Sequence, residues 1–240
     1  MPSYAFASGF FPAGGRDATG LLRYLDTHGS RLLGVARADA HITYGYYVVG
    51  DGLGPAYQLG LSRFLADNDR PDQLDLSLYG LIAVGMTANT FVSGEAVSVI
   101  PVEGRFYRTM YMPPNLGANS SYLETLRLTL VHERRGRRGA PTGLDLAFAT
   151  PRAWLRQGQT IDVERAPTSF GRVSFTIVRA GSVVRIHFVP PPRHTSVRLR
   201  LRLPAGERIA SVRGAEFDAR GATIDLSSLR RATDLVAVIR

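Results

Sequence analysis

Apolar side chains follow two different rhythms along this chain: a helical one up to about residue 131, and a two-residue alternation from about residue 144 onward. In the first part, Leu21, Leu22 and Leu25 share a face behind Asp17, which reads as an N-cap, and the helix they predict ends near Gly29. Pro55 fits the first turn of a second helix, with Tyr57, Leu61, Phe64 and Leu65 at i, i+4, i+7 and i+8, stopping at the polar run Asp67-Asn68-Asp69. Pro71 opens a third, carrying Leu74, Leu78, Leu81 and Ile82 on one face. Leu76, Tyr79 and Ala83 make its opposite face apolar too, which predicts burial on both sides. Ser121 and Glu124 have capping-box spacing ahead of a stripe of Leu126, Leu130 and Val131.

The second part reads as strands at 144–149, 160–165, 172–179, 182–189, 196–203, 208–212, 222–226 and 234–239. Turn residues recur between them at the intervals of a sandwich, among them Gly158, Gly171, Gly181 and the Pro190–Pro192 run. The clearest alternation is 196–203, where Val197, Leu199, Leu201 and Leu203 point one way and Arg198, Arg200 and Arg202 the other. That Arg row has two readings: a patch for phosphate or an anionic polysaccharide, or the solvated, aggregation-resistant face of an antiparallel strand. On the second reading, Asp162 and Glu164 neutralise part of it across strands. Between the two parts, HERRGRRGAP (132–141) reads as a charged connector. It divides a helical region, 1–135, from a β-sandwich, 141–240, and marks the expected site of limited proteolysis.

The stretch from Leu76 to Pro114 is where candidate chemistry concentrates. Its middle, FVSGEAVSV, holds one carboxylate, Glu95, between Gly94 and Ala96, and Phe106, Tyr107 and Tyr111 follow. A lone carboxylate among small residues with aromatic rings nearby suits a sugar-processing cleft; it also suits a half-buried loop acid satisfied by Arg105, Arg108 or backbone N–H groups. Upstream, Asp39, His41, Tyr44, Tyr46, Tyr47 and Asp51 fall within one short segment. Asp39 with His41 and Tyr44 could hold a sugar hydroxyl, or Asp39 could be a loop acid paired with Arg31 or Arg37. The tyrosines, Tyr107 and Tyr111 included, could stack on sugar rings or seal an interface.

Composition narrows the field. The net charge of +9 suggests nucleic acid, but every one of the 29 basic residues is Arg, a bias of coding composition more than of phosphate binding. The charge is also lopsided: residues 1–130 hold 9 Arg against 11 acids, residues 131–240 hold 20 Arg against 9. No run is long and apolar enough for a membrane span, and the N-terminus lacks the regions of a secretory signal, so the chain as it stands reads as cytoplasmic, with no nucleic-acid or membrane partner. There are no cysteines, and the five histidines show no metal-binding spacing, so neither metal nor cofactor is expected. The DNDRPDQLD segment lacks EF-hand order, GDGLG lacks a phosphate-loop frame, and Ser93-Gly94 lacks the frame of a nucleophile elbow.

Three segments, RFLADNDRPDQLDLSLYGLIAVGMTANTFVSGEAVSVIP (63–101), MYMPPNLGANSSYLETLRLTLV (110–131) and LAFATPRAWL (146–155), resemble the C-terminal part of bacterial six-hairpin glycosidase-type proteins. The resemblance implies an α+β multidomain fold: part of an (α/α)6 toroid of helical hairpins followed by an antiparallel β-sandwich. It implies a carbohydrate-active, glycoside hydrolase-like module acting on a carbohydrate, with Glu95 in the late position where such proteins carry the catalytic base. Asp39, His41, Tyr44, Tyr46, Asp51, Tyr107 and Tyr111 are then the substrate-binding candidates, with Asp39 and Asp51 the acids expected to approach Glu95. A complete toroid has twelve helices and four are convincing here, so the resemblance also implies a missing N-terminal part and no activity from these residues alone. The alternative is a non-catalytic, polysaccharide-binding or structural sandwich with a helical support.

Overall fold

The chain divides between Arg127 and Leu128 into two units. The computed structural model describes residues 6, 9–28, 31–37, 51–136 and 139–240.

The first unit contains α1 (Arg16–Thr27), a short β1–β2 hairpin (Arg31–Leu32 and Val35–Ala36), β3 (Asp51–Leu53), a 3-10 turn (Pro55–Gln58), α2 (Leu59–Asp67), α3 (Pro71–Ala83), β4 (Ala96–Val102), β5 (Arg105–Tyr111) and most of α4 (Leu116–Leu130). The helices fall where the apolar spacing places them, but two caps differ. Gly15 occupies the N-cap of α1, and Asp17 sits in the first turn, where a carboxylate favours the positive end of the helix. At α4 the cap is Asn115, whose Oδ1 accepts the Ala118 N–H at 2.9 Å. Ser121 lies inside that helix, buried, and Glu124 pairs with Arg63 of α2 at 2.7 Å. Beside that pair, the buried hydroxyls of Ser62 and Thr125 meet at 2.6 Å, so α2 and α4 are stitched by matched polar groups.

Burial of α3 on both sides does not hold. Leu74, Leu78 and Leu81 are buried, whereas Leu76 and Tyr79 are 52% and 47% exposed. The covering element is the β1–β2 turn, which lies on the backbone of α3: a Cβ on Gly80 would stand 1.9 Å from Leu33 O. A small surface of that kind can cover only the part of the helix beneath it. Buried Gln58 anchors the turn, accepting from Ala36 N–H at 2.9 Å and donating to Ser77 Oγ at 3.1 Å; Ser77 in turn donates to Gly34 O at 2.7 Å.

Residues 96–111 add strands to a part whose apolar rhythm is helical. They form an antiparallel hairpin that β3 extends to a three-stranded sheet, in the order β3-β4-β5. Val102 pairs with Arg105, and the two residues between, Glu103 and Gly104, have φ of 46° and 75°. Two left-handed residues are what a tight hairpin needs to match the twist of its strands.

The second unit is two five-stranded sheets around one core. One sheet has the order β12 (Ile209–Arg213), β15 (Thr233–Ile239), β10 (Val183–Val189), β9 (Gly171–Ala180), β8 (Thr160–Thr168). The other has the order β13 (Phe217–Asp218), β14 (Thr223–Asp225), β11 (Ser196–Arg200), β7 (Pro141–Leu146), β6 (Val131–Arg135). Leu144, Leu146, Val197, Leu199 and Ile224 from one sheet share a core with Phe175, Ile177, Val184, Ile186, Phe188 and Leu235 from the other. The alternating residues therefore form the sandwich they predict, with two exceptions. The pair β7·β11 is parallel rather than antiparallel. And the supposed connector is structural: Val131–Arg135 is a sheet strand paired with Pro141–Leu146.

Candidate functional site

Glu95 stands at the entry to β4, held by three hydrogen bonds from two elements, β5 and the 3-10 turn. Its N–H donates to Tyr111 O at 2.9 Å, and its carbonyl accepts the Ala56 N–H at 3.4 Å. The Tyr57 hydroxyl donates to its Oε1 at 2.8 Å. Small residues on either side are a packing requirement: a Cβ on Gly94 would lie 3.0 Å from Ala96 O and 3.1 Å from Met110 Cβ and Tyr111 O. Ser93, buried, reaches Asn115 O at 2.9 Å and Asn119 Oδ1 at 2.8 Å, fixing the segment from its other end. Glu95 itself is half-buried. Among the described residues no arginine pairs with it; Arg108 donates to Ala83 O at 2.7 Å, and Arg105 is exposed.

Of the other sequence candidates, Asp39, His41, Tyr44 and Tyr46 lie outside the described residues, as does Tyr47. Arg31, a proposed partner of Asp39, pairs with Asp26. Asp51 is on β3 opposite Val99, and Tyr107 on β5 opposite Ile100, four and five residues along the ladder from the level of Glu95. Tyr111 is the candidate brought to Glu95, through its carbonyl. Tyr57 was missed because it reads as a core position of a helix. The nearest local signal is Gly54, where a Cβ would come within 2.8 Å of the Tyr57 ring.

The Arg row is not on a sheet edge, because β11 lies inside its sheet, and it is only partly solvated: Arg198 is exposed, Arg200 half-buried and Arg202 buried. Arg198 forks onto Asp145 of β7 with contacts of 2.8 and 3.0 Å, and Arg134 Nε approaches the same carboxylate at 3.2 Å. Gly143 lets Arg134 cross β7, since a Cβ there would stand 2.2 Å from its Nη2. Arg200 lies over the Phe148 ring at 4.3 Å, and buried Arg202 donates to Thr150 O at 3.0 Å. Asp162 is in the opposite sheet, bound by Thr176, so it neutralises nothing here.

Burial opposes ionisation of Asp145, but the imidazole of His132 at 3.6 Å and the guanidiniums of Arg198 and Arg134 outweigh it, holding the carboxyl below its ordinary value. A carboxyl depressed by folding adds stability above its unfolded pKa, near pH 4, and loses it as pH falls through the folded value. Urea midpoints followed by the single tryptophan, Trp154, which packs on this core, should therefore be flat from pH 7 to about 5 and fall steeply below about 4. In Asp145→Asn the component of that fall due to this group should vanish.

No family model matches the sequence, and no curated protein matches it. Among solved structures the chain is similar to a GH127 beta-arabinofuranosidase, at 12% identity and a TM-score of 0.48, over 99% of this chain and 42% of that one. It is similar also to a GH127 beta-L-arabinofuranosidase from Geobacillus stearothermophilus T6, at 13% identity and a TM-score of 0.42, over 88% of this chain and 36% of that one. The chain spans less than half the length of either structure.

Proposed function

We propose that this chain is a carbohydrate-active, glycoside hydrolase-like module: helical hairpins of a partial (α/α)6 toroid, with Glu95 as general base, followed by a β-sandwich. The observation that carries the reading is the state of the Glu95 carboxylate. It is half-buried and oriented by a phenol, with no guanidinium of a described residue on it. An ion pair would occupy its lone pairs, whereas a single phenol donor orients the carboxylate and leaves its other oxygen open to a water. Tyr111 adjoins it, and Tyr107, Tyr44, Tyr46, Asp39, His41 and Asp51 complete the substrate-binding set we assign.

Glycoside hydrolysis needs a second carboxyl, about 6.5–9.5 Å away for inversion. The backbone of Asp51 is four residues along the ladder, about 13 Å at the usual strand rise, so we take the acid to be Asp39 or a residue outside this chain. On the second of these the 240 residues alone are expected to show no turnover of any glycoside. The Arg row is not assigned to polysaccharide binding, because Arg198, Arg200 and Arg202 are engaged by Asp145, Phe148 and Thr150 of the same unit.

The test is turnover of a panel of 4-nitrophenyl furanosides and pyranosides by the full-length protein as encoded. Glu95→Gln should lower kcat/KM at least about a hundredfold while leaving the melting temperature unchanged. Hydrolysis of no panel member, or unchanged rates in the variant, would overturn the assignment.

A further inference from the structure

We infer that Tyr57 is the positioning residue of Glu95, fixing Oε1 so that Oε2 is the oxygen that acts; this rests on the reading of Glu95 as the base. The two side chains come from separate elements. Glu95 stands at the mouth of the β4–β5 hairpin, and Tyr57 is on the 3-10 turn between β3 and α2. That turn is a rigid base: Pro55 and Gln58 at its ends are buried, and Gln58 is tied to Ala36 and Ser77. The Tyr57 N–H donates to Gly54 O at 3.0 Å, and the ring lies against Gly54, where a Cβ would come within 2.8 Å of it. Main chain and side chain of Glu95 are thus both referred to the same turn, through Ala56 N–H and Tyr57 Oη.

The chemistry follows from the direction of the bond. A phenol donating to one carboxylate oxygen occupies a lone pair of that oxygen and fixes the carboxylate plane, leaving the other oxygen to accept a proton. A bond serving only to hold the hairpin in place would affect folding and not turnover. A positioning bond affects the rate once substrate is bound, since misplacement of a base acts on the transition state more than on ground-state binding.

A double-mutant cycle in the full-length protein separates these. With the glycoside panel as probe, Tyr57→Phe should lower kcat about tenfold with KM within about twofold and little change in melting temperature. In the Glu95→Gln background the same substitution should change nothing further, because there is no base left to position. Gly54→Ala, which pushes the ring aside, should lower kcat in the native background and have no added effect on kcat in the Tyr57→Phe background. An unchanged kcat in Tyr57→Phe beside a large loss in Glu95→Gln would overturn the positioning role and leave the base assignment standing. Equal losses from Tyr57→Phe in both backgrounds would assign the residue to folding. A Glu95→Gln enzyme as active as the native one would overturn both.

Discussion

Asp145→Ala is expected to destabilise the second unit by about 1.5–3 kcal/mol, the cost of removing a buried acceptor shared by charged donors. Asp145 is 4% exposed, with Arg198, Arg134 and His132 around it. Without its carboxylate, two guanidiniums are left facing each other from β6 and β11, the strands on either side of β7, with Arg134 running across β7. Their repulsion and lost hydrogen bonds add, and the site cannot collapse because Gly143 already gives its space to Arg134. Arg198→Met should cost much less: its side chain is 46% exposed, and Arg134 still faces Asp145. The measurement is urea unfolding followed by Trp154 fluorescence. A loss below about 1 kcal/mol in Asp145→Ala would mean the ion pair is not buried as described.

Gly34→Ala is expected to cost the first unit about 3 kcal/mol, combining overpacking with a left-handed backbone. The φ of Gly34 is +76°, and its Cβ would stand 2.4–2.6 Å from Leu76 C, Leu76 O and Ser77 N. Those are backbone atoms of α3, which cannot yield as a side-chain end can. Gly14→Ala is the control: its φ is +72°, with nothing within 4 Å of the added Cβ, so it isolates the backbone part. Gly80→Ala sharpens the point. Helix propensity alone favours alanine there by about 1 kcal/mol. The contact with Leu33 O predicts the opposite sign, read as a lower thermal midpoint at 222 nm.

How much was legible depended on whether the deciding contacts were local. The eight strands expected after residue 143 all appear, most within three residues of their bounds, because inward residues such as Val197 and Leu199 must alternate with outward ones. Helices α1 to α3 were legible for the same reason, and Pro71 marked a start. The hairpin of β4 and β5 carries a local signal, Glu103-Gly104 between alternating runs, set close behind an apolar helix.

Glu95 stood out as a lone acid among small residues, yet nothing near it in sequence names Tyr57, 38 residues away, as its partner. Likewise the outward-facing arginines of β11 could be read from period two, but their fate could not. Alternation sets which face a residue takes, since successive Cβ atoms point to opposite sides of any strand. What meets that face is set by strand order, and strand order is a non-local choice: it placed β11 inside a sheet, parallel to β7, with Asp145 against Arg198. Local pattern was enough for most elements, their faces and the sandwich core. Long-range packing made the Arg row an ion-pair and stacking network, covered α3 on one side, and brought a phenol to the candidate base.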